Sequence, residues 1–224
     1  MFDAIAARYD MVNDLASLGQ CRLWTAAVTH ALQHLTGGLE GLRVLDVACG
    51  TGTSSLAIAR RGAQVVGCDI SDGMLSVARN RSQASRWGQR LRYCHADAME
   101  LPFPDNSFDA VTSSYGLRNM SCPQAALQEM RRVARAGAPV VILDFDLPRN
   151  PLMRACYQRY ARVALPLLGQ LMGSGAQPYQ YLNDSIANWR GAAGVCRMLH
   201  GAGFRDIRSA KLCLGIASIC TART

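Results

Sequence analysis

The sequence predicts an α/β protein built on a doubly wound, mainly parallel seven-stranded sheet of Rossmann-like type. Three observations carry that prediction. Short apolar runs alternate with amphipathic stretches at the spacing of βαβ units. The first of these runs passes directly into a glycine turn and a helix. Half of the 224 residues are hydrophobic and 18% are charged, a balance that supports one substantial core.

Taken in order, residues 1–36 read as a helical entry segment. Ile5, Tyr9, Val12, Leu15, Leu18, Leu23 and Trp24 form its apolar pattern, which breaks near Gly19. Residues 37–147 form the alternating core. Arg43–Ala48 is a first strand and Ser54–Arg61 a helix; Gln64–Cys68 is a second strand, ended by Asp69, with a helix over Gly73–Arg81. Leu91–His95 and Phe108–Ser113 are the third and fourth strands, Pro123–Ala134 a helix and Ala138–Phe145 a fifth strand. Residues 148–190 break the alternation and read as a helical lid insertion. Residues 191–224 return to a helix, Gly191–Ala202, and two strands, Asp206–Lys211 and Gly215–Thr221, antiparallel at the sheet edge. The whole reads as a single domain.

Composition narrows the function. The formal charge of +8 is carried almost wholly by arginine, Lys211 being the only lysine. No run of five basic residues occurs and no aromatic–basic interleaving, so a nucleic-acid partner is not expected. The nine cysteines are scattered with no C-x-x-C pair, a pattern of reduced thiols rather than of disulfides or a zinc site. No H-x-x-H or paired-carboxylate arrangement suggests a metal. No apolar stretch approaches the roughly 20 residues that span a bilayer, and Met1-Phe2-Asp3-Ala4 lacks the pattern of a secretory signal. A cytoplasmic location is the expectation.

The chemistry centres on Val44-Leu45-Asp46-Val47-Ala48-Cys49-Gly50-Thr51-Gly52-Thr53. Glycine lets the backbone approach a ligand closely, and the helix that follows offers unpaired N–H groups. Ser55 stands where a dinucleotide-binding turn has its third glycine, and an acidic residue, Asp46, precedes the turn. Asp69 ends the second strand where a ribose would be met. Asp97 follows the third strand, placed for an exocyclic amine of adenine. Each feature has a plainer reading: a lone G-T-G is common, Asp46 could cap a turn, Asp69 could be a solvated strand end, and Cys49 is better read as packing than as a nucleophile. The combination matches class I methyltransferases that use S-adenosylmethionine, whose cofactor has a ribose but no pyrophosphate.

Further segments are more specific. Phe2–Trp24, Leu101–Thr112, Tyr115-Gly116-Leu117-Arg118-Asn119 and Tyr179–Ile186 together resemble the ubiquinone/menaquinone biosynthesis C-methyltransferases, over nearly the whole chain. The resemblance implies S-adenosylmethionine as methyl donor, leaving as S-adenosylhomocysteine, and a prenylated quinol as acceptor, foremost demethylmenaquinol. It implies a cofactor site of Tyr9, Asp46, Gly50, Thr51, Gly52, Asp69, Ile70, Asp97, Ala98 and Ser114, with Tyr9 and Asp10 folding over the sulfonium end. The sequence departs from the family pattern at Thr53, commonly aspartate, at Asp144-Phe145-Asp146-Leu147-Pro148, commonly E-F-S-x-P, and at Ile219-Cys220-Thr221, near a frequent histidine. These departures leave the quinone type open, the phylloquinone and ubiquinone branches included.

For the acceptor, Arg118, Asn119 and Tyr181 are the candidate catalytic residues. Arg118 would stabilise a quinol oxyanion or place a water, with a structural ion pair to Asp10 or another carboxylate as the alternative. Asn119 and Tyr181 would orient the ring. Asp146 could face the acceptor or simply end a turn, and His95 is a candidate base or a structural residue. A lid helix over Leu152–Leu165 carries Leu152, Met153, Cys156, Tyr157, Tyr160 and Val163 on one arc and Arg154, Arg159 and Arg162 on the other. It covers the core, or it lines a passage for an isoprenoid tail while its arginines touch anionic lipid. A homodimer is admitted and not specified. The competing functions are methylation of another prenylated or polyketide molecule, a non-catalytic cofactor-binding assembly subunit of a quinone-synthesis complex, and a Rossmann dehydrogenase, which Ser55 disfavours.

Overall fold

A computed structural model describes residues 10, 14, 17, 19–164, 166 and 177–224. Seven strands pair into one sheet: β1 (Arg43–Val47), β2 (Gln64–Asp69), β3 (Leu91–His95), β4 (Ala110–Ser114), β5 (Pro139–Phe145), β6 (Arg205–Leu212) and β7 (Ala217–Arg223). Their order is β3-β2-β1-β4-β5-β7-β6. The first five run parallel, and β7 enters antiparallel to β5. The expected doubly wound sheet with an antiparallel edge is therefore what forms.

Burial explains why these stretches become strands. Every residue of β5 is buried, and its Val140–Leu143 run is apolar without alternation, as a central parallel strand with both faces covered requires. In β1 the side chains alternate. Val44 joins a core with α1 (Cys21–Thr36) and α2 (Thr53–Ala59), whereas Leu45 and Val47 join an opposite core with α4 (Pro123–Val133) and α7 (Gly191–Gly201). The period of two leaves Asp46 on the Val44 side. Trp24 of α1 sits edge-on to Phe145 at 5.8 Å, and its indole N–H donates to Cys213 Sγ at 2.9 Å. That indole ties the first described helix to the last strands of the sheet.

Strand order reverses between β1 and β4, so their carboxyl ends open a crevice. The remaining helices are α3 (Asp72–Gln83), capped by Ser71, whose hydroxyl accepts from Met74 N at 3.2 Å, then α5 (Pro151–Arg159) and α6 (Gln177–Asn188). No helix among the described residues is long and apolar enough to cross a membrane.

Several boundaries shift by one or two residues, the last strand from Gly215–Thr221 to Ala217–Arg223 among them, and three further differences stand out. Phe108 forms only an isolated bridge to Ala134, and the fourth strand begins at Ala110. Asp69 belongs to β2 rather than following it. The expected Leu152–Leu165 helix ends at Arg159 and continues as a π-turn, Tyr160–Ala164, with Leu165 outside the described residues. Its expected apolar arc is corrected too: Tyr157 and Ala161 are buried, while Leu152, Cys156 and Val163 are exposed. The segment docks by Tyr157 and Ala161 with Tyr160 half-buried beside them, and the wider π register from Tyr160 shifts Val163 off the arc. Arg154, Arg159 and Arg162 are exposed.

Candidate active site

The carboxyl ends of β1, β2, β3 and β4 surround a cavity of about 1020 Å³. The glycine turn forms its floor. Ala48, Gly50 and Gly52 all have φ between 54° and 75°, the left-handed region, so the chain reverses sharply before α2. Gly50 N donates to Asp69 Oδ2 at 2.8 Å and Ser71 N to Asp69 Oδ1 at 2.9 Å, which fastens the turn to the end of β2. Asp69 is thus a structural acceptor as well as a wall of the cavity.

Asp46, Gly50, Thr51, Asp69, Ile70, Asp97, Ala98 and Ser114 all line this cavity, so eight of the expected cofactor residues are brought together from four strand ends. Ile70 projects into it with 63% of its surface exposed. Gly52 does not line it. A Cβ at Gly52 would lie 2.5 Å from Tyr93 Oη and 3.1 Å from Ala78 Cβ, so this glycine lets the turn pack on β3 and α3 rather than touching a ligand. Tyr9 lies outside the described residues.

The electrostatics are distinctive. Asp46 is buried and accepts from Ser55 Oγ at 2.5 Å, and burial pushes its carboxyl up to about 7 against the lowering by Ser55. The serine at the third-glycine position is therefore a partner for the acid before the turn. Asp46 Oδ1 and Ser114 Oγ are both buried and have no hydrogen-bond partner among the described residues. Unpaired buried acceptors and hydroxyls are costly, and both belong to residues of the cavity wall. Burial raises the Cys49 thiol well above its ordinary value, which fits packing and not nucleophilic use.

Asp10 caps the turn from outside. Its Oδ1 accepts from Thr51 Oγ1 at 2.7 Å, and its Oδ2 pairs with the Arg81 guanidinium, which also donates to Thr51 and Thr53. Arg81, near the end of α3, was not singled out by sequence; nothing in its local pattern distinguishes it from other helix-end arginines. The α1 wall was missed as well. Thr25 Oγ1 and Thr29 Oγ1 each donate to the carbonyl four residues back, at 2.9 Å, so with Ala26 they line the cavity with their hydroxyls already engaged. The signal was small residues at helical spacing.

The three candidate catalytic residues separate. Asn119 lines the cavity, its Nδ2 donating to Tyr115 O at 3.1 Å, and its Oδ1 accepts from Tyr181 Oη at 3.2 Å. Arg118 does not line it. Its Nη1 lies 2.7 Å from Asp144 Oδ1 and 2.6 Å from Tyr115 O, and its Nε donates to Ser185 Oγ on α6. The expected contact with a substrate oxyanion is thus replaced by a carboxylate of β5, which neutralises the cation; the alternative of a structural ion pair is what the geometry gives, with Asp144 rather than Asp10. Asp146 also faces away: it accepts from Ala192 N at the start of α7 and pairs with Lys211 at 3.3 Å. His95 is half exposed, 3.9 Å from Asp72, outside the cavity wall.

The chain matches the model of the ubiE/COQ5 methyltransferase family over residues 1–223. Among curated proteins it is 42% identical over 219 residues to the demethylmenaquinone methyltransferase of Clavibacter sepedonicus, covering 98% of this chain and 86% of that protein. It is 43% identical over 223 residues to the demethylmenaquinone methyltransferase of Beutenbergia cavernae, covering 100% and 89%. Among solved structures, a SAM dependent methyltransferase from Aquifex aeolicus shares the fold with a TM-score of 0.63 at 18% identity, over 87% of this chain and 88% of that one.

Proposed function

The chain belongs to the ubiE/COQ5 methyltransferase family and is a methyltransferase, and from that we propose that it methylates a ring carbon of a prenylated quinol, converting demethylmenaquinol to menaquinol with S-adenosylmethionine as donor. The observation that carries the reading is the cavity itself, where Asp69, Asp97, the glycine turn and two unpartnered buried oxygens meet at the strand-order switch.

The donor supplies an electrophilic methyl group on a sulfonium, which leaves as the neutral thioether. The fit rests on the residues present. Asp69 would accept from the ribose hydroxyls beside its bonds to Gly50 and Ser71, and Asp97, held by Met99 N at 2.8 Å, would accept from the adenine amine. Ile70, on the cavity wall, would pack on the adenine face. Asp46 Oδ1 and Ser114 Oγ are available to polar groups of the amino-acid end. Asp10, through Thr51 and Arg81, is held against the turn.

For the acceptor, the protein's task is mainly to hold donor and ring carbon in line. Asn119 and Tyr181 orient the ring by its two oxygens; loss of the proton from one quinol hydroxyl makes the ring carbon electron-rich, and once methylated that carbon gives up its own proton to restore the quinol. Arg118 is a positioning residue: bound to Asp144 and Ser185, it fixes the loop after β4 against α6. The α1 wall of Thr25, Ala26 and Thr29 takes the first units of the prenyl chain.

Incubation with a methyl-labelled donor and a panel of reduced demethylated quinones, followed by product mass analysis, tests the proposal. Label in a naphthoquinol ring supports it; label only in a benzoquinol moves the acceptor to the other branch. Absence of label from every quinol, with S-adenosylhomocysteine still bound, overturns it.

A further inference from the structure

A second cavity, of about 470 Å³, opens at the sheet edge away from the glycine turn. Arg149, Arg190 and Lys211 line it together with Asp146, Ser209, Ala192 and Ala193. The sequence alone scatters these residues over three elements. The fold collects them because β5, α7 and β6 meet there: Asp146 directly follows β5 and accepts from Ala192 N in the first turn of α7, and Lys211 Nζ donates to Leu147 O at 2.8 Å. The period of two puts Ser209 and Lys211 on the same face of β6 as Ile207, which packs into the α7 core.

Three cations and one carboxylate leave this cavity with excess positive charge. Lys211 is engaged with Asp146, whereas Arg149 and Arg190 are exposed and have no carboxylate partner among the described residues. Arg190 is built into place: a Cβ at Gly194 would lie 2.2 Å from its Cβ and 3.4 Å from its Cγ, so glycine on the first turn of α7 makes room for the arginine stem.

Apolar side chains flank the cations. Leu152, three residues beyond Arg149, is 72% exposed, and Leu214 is 76% exposed. Gly215, next to Leu214, lies against the segment that leads to Leu152 and against the Lys211 stem, since a Cβ there would meet both Pro148 Cα and Lys211 Cδ at 3.2 Å. Leu214 and its neighbour Cys213 both have positive φ, 58° and 49°, so a left-handed turn presents this leucine outward. Leucines beside unpaired arginines match an interface between acyl chains and anionic headgroups.

We infer that the Arg149–Arg190–Lys211 cavity binds the phosphate of an anionic phospholipid headgroup while Leu152 and Leu214 enter the acyl boundary, docking the carboxyl rim of the sheet on a membrane. The inference does not depend on the identity of the acceptor. The rim that docks is the one on which the main cavity also opens, since both lie at the carboxyl ends of the parallel strands.

The experiment is co-sedimentation of the full chain with vesicles of phosphatidylglycerol and phosphatidylcholine, or of phosphatidylcholine alone, with methyl transfer assayed separately on a short-chain acceptor in detergent. The R149Q/R190Q variant should lose binding to the anionic vesicles by about thirtyfold, the loss expected for two arginines at a charged surface. Its thermal midpoint and detergent activity should match the parent chain. The L152S/L214S variant should weaken binding while retaining the preference for anionic vesicles. Equal binding by R149Q/R190Q and the parent overturns the inference, as does equal binding of the parent to both vesicle types. Displacement by millimolar glycerol phosphate, without any vesicle preference, also overturns it and assigns the cavity to a soluble phosphate.

Discussion

Arg118 and Asp144 form an ion pair with side chains only 3% and 1% exposed, the guanidinium of the loop after β4 lying 2.7 Å from the carboxylate of β5. The pair is closed on all sides: Asp144 also accepts from Phe145 N and Arg118 N, and Arg118 from its other side holds Tyr115 O. Burial raises the Asp144 carboxyl while the neighbouring guanidinium lowers it, and burial is the larger effect.

Removing one partner strands the other charge. Arg118→Gln is expected to cost about 3–5 kcal/mol in denaturant unfolding, whereas the R118Q/D144N double variant should recover part of that loss. If the two single changes simply add in the double variant, the pair is not the unit described here. Methyl transfer should fall in R118Q even where the protein remains folded, with S-adenosylhomocysteine affinity changed little.

Asp46 makes stability depend on pH. Its carboxyl is pushed up to about 7 from an ordinary 3.8, chiefly by burial. A raised folded-state value means that the stabilising contribution is full below about 4 and is lost as pH rises through about 7. Asp46→Asn keeps a partner for Ser55 but no longer titrates. The stability of the parent relative to D46N, read from denaturant midpoints, should therefore decline between pH 4 and pH 7; a constant difference across that range would contradict the buried, unpaired state of Oδ1.

Gly52 has φ of 75° and faces Tyr93 Oη. Gly52→Ala should destabilise by about 1–3 kcal/mol, through crowding together with backbone strain. Adding Tyr93→Phe removes the hydroxyl and should restore part of the loss, leaving the strain. Thermal melts of the single and double variants separate the two contributions, and no rescue at all would exclude the Tyr93 contact.

Asp69 holds two backbone N–H groups and faces the cavity. Asp69→Ala is expected to lower S-adenosylhomocysteine affinity by about 2–3 kcal/mol, since charge-assisted bonds are lost both to the turn and to the ligand. Calorimetry reads the change. Tyr181→Phe, by contrast, should leave that affinity intact and lower turnover, because it removes the hydroxyl that donates to Asn119 and orients the acceptor ring.

The glycine turn, the five parallel strands and the acids at strand ends were legible along the chain because their causes are local. A positive φ demands glycine, a strand buried on both faces demands an apolar run, and a strand end repeats its place in every βαβ unit. Hence Asp46, Asp69 and Asp97 could be assigned to one crevice before any coordinates. What spacing could not reveal is which distant side chains meet. Arg118 is separated from Asp144 by 26 residues and Arg81 from Asp10 by 71, and Arg149 joins Arg190 and Lys211 only where three elements converge. A long cationic side chain finds its partner by the packing of whole elements, and no period along the chain records that choice. The fold and the donor crevice are thus written in local pattern, while the placing of each arginine, inward on a carboxylate or outward at an open cavity, belongs to tertiary packing.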